Sequence, residues 1–334
     1  MALLDVRNLK AYYRLGNAWV RAVDDVSFTL SPGETLGLVG ESGCGKSTLN
    51  LALLRILPPN GQILGGQVIL DDEDLLGLSD AGIRRVRWKE ISMIFQGAMN
   101  SLNPVYRVQD MLREALRAHE DLPPKECDER VSRVLDLAGF PAARKTSYPH
   151  ELSGGMKQRA VIAMSLVCNP RIIIADEPTT ALDVVVQDLI LRRLKQIQRD
   201  LDLAMILISH DASIVAQVCD RVAVMYAGQI FEYADVRSIF KDPRNPYTIG
   251  LMSSVPSLVG PLRRLTSIPG VPPDLRSPPA ACRFAGRCPI AQHTCWHEPP
   301  PVVKVGTSHW SRCHFAADEQ MLRLQASQLG EGSR

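Results

Sequence analysis

The chain of 334 residues is long enough to bury one large core with a smaller appendage, or two modest domains. Hydrophobic residues make up 46% and charged residues 22%, a globular composition that excludes a disordered or fibrous chain. With 38 basic against 36 acidic residues, a formal net charge of +2, and no long basic run to follow a phosphate backbone, nucleic acid is not an expected partner.

Residues 1–5 carry no basic segment followed by a long apolar core, so secretion is not expected. Strands are predicted at 3–6, 22–30 and 34–39, the last running into Gly40-Glu41-Ser42-Gly43-Cys44-Gly45-Lys46-Ser47. A helix over 46–56 should stop before Pro58-Pro59. A strand at 91–95 leads to Gln96, and from about 97 to 170 the pattern turns helical, with helices at 108–119, 126–138 and 154–168, as in an inserted helical subdomain. The longest nearly apolar stretch, 160–168, is far below the roughly 18 residues that suggest a membrane span, so a membrane role has to come through partners.

Strands at 172–175, 204–209 and 221–226 then alternate with helices at 184–199 and 211–218, the pattern of βαβ units and a parallel sheet. Seven prolines in the 26 residues from 256 to 281 predict an extended connector. The expected organisation is a large domain over 1–255, the connector, and a small cysteine-rich extension and tail over 282–334.

A strand, a glycine-rich turn and a helix form an anion site, because backbone N–H groups and the helix N-terminus converge on it. Gly40, Ser42, Gly43, Cys44, Gly45, Lys46, Ser47 and Thr48 make up this loop, with Lys46 as a point charge for β- and γ-phosphates and the Ser47 hydroxyl as a Mg²⁺ ligand. The buried strand 172–175 delivers Asp176 and Glu177 to its carboxyl end. Asp176 suits Mg²⁺, and Glu177 suits a general base for an attacking water. By itself the pair equally suits an acidic turn.

Leu152-Ser153-Gly154-Gly155-Met156-Lys157-Gln158-Arg159 resolves that ambiguity, because it resembles the signature of the ABC ATPase family. The resemblance implies a P-loop ATPase core, an α/β fold of mixed and parallel sheet with helices. In this family Ser153, Gly154 and Gly155 of one protomer close over the γ-phosphate held by the other, so a dimer with a second ATPase subunit is implied. Gln96 then matches the glutamine that contacts Mg²⁺ and water, and His210 the histidine that contacts the γ-phosphate. Asp183, in Ala181-Leu182-Asp183, matches the loop coupling the two sites, and Tyr13, with Tyr12 as the alternative, matches the ring stacked on adenine.

Ser101-Leu102-Asn103-Pro104, Glu177-Pro178-Thr179-Thr180, Val224-Met225-Tyr226-Ala227-Gly228 and Asn245-Pro246-Tyr247-Thr248 resemble the dipeptide and oligopeptide importer branch, which also serves nickel and some sugars. That branch implies two transmembrane permease subunits, an extracytoplasmic substrate-binding protein, and a place on the cytoplasmic face of the membrane. Gln96-Gly97-Ala98-Met99 departs from its usual Asp-Pro after the glutamine. Cys282, Cys288, Cys295 and Cys313 resemble the branch's C-terminal extension. Their spacing alone leaves the metal open, and the resemblance favours a [4Fe–4S] cluster over zinc or no metal.

Overall fold

The computed structural model describes residues 2–253, 268–323 and 325. The chain divides into two compact units, one from Met1–Leu3, Leu30–Thr35 and Gly77–Ile208, the other from Leu4–Thr29, Leu36–Leu76 and Ser209–Arg334. The first part of the predicted connector, 256–267, lies outside the described residues.

In the first unit, strands Ile91–Ile94, Ile172–Asp176 and Ala204–Ile208 pair in parallel, with Ile91 opposite Ile172 and Asp176 opposite Ile208. The last two are buried at every position, which is why they read as unbroken apolar runs. Helices Val108–Arg117, Pro124–Leu137, Gly154–Leu166 and Val184–Asp200 bury Leu112, Val131, Leu135, Ile162 and Leu194 in one shared core. Each begins where its sequence permits. Pro124 opens one as a first-turn proline, while the Ser153 and Asp183 side chains cap two others by accepting the Met156 and Val186 amides.

In the second unit, Leu4–Leu15 lies between Ala18–Leu30 and Gly61–Leu70 in a four-stranded sheet, and runs antiparallel to Gly61–Leu70. Thr35–Val39 runs parallel to Arg221–Tyr226, which pairs antiparallel with Gln229–Asp235. Strand Trp310–Arg312 of the cysteine-rich segment then adds to Gln229–Asp235, with Tyr233 opposite Trp310, and carries Val302–Lys304 on its other edge. Residues 268–281 contain no strand or helix, and the Leu275 carbonyl accepts the Arg21 amide at 2.9 Å.

Two expectations needed correction. The helix predicted over 46–56 is Lys46–Leu53, because Arg55 takes φ 51° and closes the helix with bonds from its own amide to Ala52 O and from Ile56 to Leu51 O. That closure usually employs glycine, so arginine hid it. The first strand runs to Leu15, well beyond residue 6. Among the described residues, no helix is long and apolar enough to cross a membrane.

Candidate active site

The buried strand Thr35–Val39 turns at Gly40 and re-enters as helix Lys46–Leu53, whose first internal bond runs from the Leu49 amide to Gly45 O at 2.9 Å. The amides of Lys46, Ser47 and Thr48 precede that bond, and Gly45 has no side chain to cap them, so they are donors for an anion. Gly45 sits at φ 109°, and a Cβ there would lie 1.9 Å from the Ala22 carbonyl oxygen. Only glycine permits that approach. The buried Lys46 Nζ donates to Gly40 O at 2.7 Å and to Glu41 O at 2.9 Å, which holds the ammonium across the loop. Ser42, Gly43 and Ser47 face solvent, whereas Thr48 and Cys44 are buried. Burial pushes the Cys44 thiol up, so it packs as a neutral group.

Asp176, 4% exposed, ends strand Ile172–Asp176, and Glu177 follows with φ 48°, a left-handed conformation costly for a residue with a Cβ. The turn is held by the Glu177 amide, which donates to Ile208 O at 3.1 Å. Glu177 Oε2 accepts from Gln96 Nε2 at 2.9 Å and from Thr180 Oγ1 at 3.0 Å. Two fixed donors therefore aim the carboxylate that sequence chemistry singles out. Thr180 went unassigned in the sequence, although a hydroxyl three residues after the acid was a usable signal.

Ser153 Oγ accepts the Met156 amide at 3.4 Å and so starts the helix Gly154–Leu166. A Cβ on Gly155 would come within 2.8 Å of Val186 Cγ1, so the signature helix lies close against the helix that Asp183 caps. Leu182 packs beside Gly154 in the same way. The signature and the Ala181-Leu182-Asp183 loop are thus one packed assembly within the first unit.

His210 is exposed just after strand Ala204–Ile208, ahead of Asp211, whose carboxylate caps helix Ala212–Val218. Of the two adjacent tyrosines, Tyr12 donates its hydroxyl to Asp24 at 2.5 Å, and burial with that bond pushes its pKa up to about 12. Tyr13, half-buried, pairs across the sheet with Gly61, and its ring lies over the position a Gly61 Cβ would occupy.

The ABC transporter family matches residues 23–180, and the oligopeptide/dipeptide transporter C-terminal region matches residues 231–295. The dipeptide transport ATP-binding protein DppD of Bacillus subtilis is 47% identical over 314 residues, covering 93% of this chain and 94% of that protein. The chain belongs to the ABC transporter family. Its fold is an ABC ATPase cassette, and it is an ATPase coupled to transport. The oligopeptide transport ATP-binding protein OppD of the same organism is 45% identical over 312 residues, covering 92% and 87% of the two chains. Among solved structures, a dimeric bacterial ABC transporter cassette superposes with a TM-score of 0.62 at 26% identity, over 70% of this chain and 99% of that one.

In this ABC subunit the four C-terminal cysteines line one cavity of about 20 Å³, walled also by Phe231, Phe284 and Phe315. As placed, no three His, Cys, Asp or Glu side chains among the described residues are arranged to hold a single metal ion. Burial, reinforced by the neighbouring thiols, pushes Cys288 and Cys313 up to about 12. Cys282 is raised for the same reasons, burial foremost. The four sulfurs converge on one largely apolar hollow.

Proposed function

We propose that this chain is one of two ATP-hydrolysing subunits that drive uptake of di- and oligopeptides, working on the cytoplasmic face of the membrane beneath two permease subunits fed by a binding protein. The observation that carries the catalytic part is the Glu177 carboxylate fixed by Gln96 and Thr180. The peptide part rests on the match of residues 231–295 to the oligopeptide/dipeptide transporter region and on the relatives named above.

The loop amides and Lys46 bind the ATP phosphates, and the Tyr13 ring stacks on adenine. Ser47, Asp176 and Gln96 would hold Mg²⁺, which would supply positive charge to offset that of the phosphates. Glu177 accepts the proton of the attacking water, while Gln96 and Thr180 keep its carboxylate aimed. His210 contacts the γ-phosphate. Ser153, Gly154 and Gly155 donate to the γ-phosphate held by the partner subunit, and Asp183 links the two sites, so ATP closes the dimer and hydrolysis reopens it.

In proteoliposomes bearing the permease pair and the binding protein, this subunit with its companion ATPase should give ATP-dependent uptake of a radiolabelled tripeptide. Uptake of nickel or an oligosaccharide in place of the peptide would transfer the reading to another cargo.

Cys282, Cys288, Cys295 and Cys313 take a [4Fe–4S] cluster, supported by four thiols sharing one apolar cavity, and the cluster staples the segment without redox turnover. Protein purified without oxygen should be brown and hold about four irons per chain. Colourless protein carrying one zinc would replace the cluster with a mononuclear site.

A further inference from the structure

Glu41 follows the first glycine of the phosphate loop, and a carboxylate there opposes the anion the loop is built to hold. Its charge is met from the cysteine-rich segment. Arg287 Nη1 and Nη2 donate to the two Glu41 oxygens at 2.6 and 2.9 Å, a bidentate fork with the guanidinium side chain only 6% exposed. The remaining donors are also engaged: Nη1 with the Tyr226 hydroxyl at 3.3 Å, Nε with Pro269 O at 2.8 Å and Nη2 with Ile268 O at 3.2 Å. Arg287 therefore has one position, and Glu41 is fixed with it.

Glu41 is gripped at its backbone as well. Its amide donates to the Tyr247 hydroxyl at 2.9 Å, and its carbonyl accepts from Lys46 Nζ at 2.9 Å. A second arginine of the same segment, Arg283, pairs with Asp24 and donates to Ala227 O. Each arginine sits beside a cysteine, Arg283 after Cys282 and Arg287 before Cys288, and the turn Ala285–Arg287 joins them.

We propose that Arg287 is a positioning residue for the nucleotide site: by locking and neutralising Glu41 it makes ATP affinity depend on the cysteine-rich segment being folded. The inference rests on the loop being the ATP site. Losing the guanidinium leaves a carboxylate free to swing toward the phosphates, so binding weakens through charge and disorder together.

With the full-length chain, Arg287→Gln should weaken binding of a fluorescent ATP analogue about tenfold, with KM for ATP rising in step and kcat changing less than about twofold. Adding Glu41→Gln should recover most of the loss, because the uncompensated charge goes with it. Wild-type affinity in the single variant, or no recovery in the double, overturns the role. Should Arg287→Gln not accumulate folded, Arg287→Lys keeps the charge without the fork and should bind about threefold more weakly, wild-type affinity again overturning the role. Failure of the wild-type chain to bind the analogue would instead remove the ATP-site reading.

Discussion

Glu177→Gln should lower ATP turnover by about 10²–10⁴-fold while leaving ATP affinity within about threefold of wild type. The amide oxygen can still accept from Gln96 and Thr180, so the turn and its φ of 48° lose little support. What disappears is the basic lone pair and its negative charge, and with them the means of taking a proton from water. On the proposed cycle, in which ATP closes the dimer and hydrolysis reopens it, the variant should accumulate as an ATP-dependent dimer. Phosphate release measured under saturating ATP, alongside light scattering, checks both halves. Turnover above about a tenth of wild type would take the general-base role away from Glu177.

Gly45→Ala should abolish measurable ATP binding and cost about 2–5 kcal/mol of stability. The added Cβ meets the Ala22 carbonyl oxygen at 1.9 Å and the Met225 methyl at 2.8 Å, at a φ of 109° that L residues rarely adopt. The Met225 methyl can rotate aside, but the Ala22 carbonyl cannot yield, since it belongs to the backbone of the sheet strand Ala18–Leu30. The loop must move, and the amides of Lys46, Ser47 and Thr48 lose their common aim. Calorimetric titration with ATP and a thermal melt separate the two effects. Near-native affinity would mean that the loop tolerates a geometry these contacts forbid.

Candidate site residues could be proposed from the sequence because the chemistry demands particular residue types at fixed spacing, as in Gly40 to Ser47 or Asp176-Glu177. The buried parallel strands were legible because burial on both faces leaves unbroken apolar runs. Strand Gly61–Leu70 was not, because Gly65 and Gly66 interrupt its alternation and Gly66 takes φ 94° opposite an irregular register. The first strand hid its length in the same way, at Asn8 with φ 46°. Only the strand shows how the surroundings of Tyr12 and Tyr13 differ, one hydroxyl bonded to Asp24 and the other residue opposite Gly61. No periodicity could have announced the Glu41–Arg287 pair, whose members are 246 residues apart.

That separation also has a meaning in time. A ribosome makes Arg287 246 residues after Glu41, so a nascent chain halted between them carries Glu41 without its counterion. On the role proposed for Arg287, tight ATP binding is deferred until the cysteine-rich segment has been synthesised and folded. A truncated product that could still dock beneath a permease would compete poorly for nucleotide.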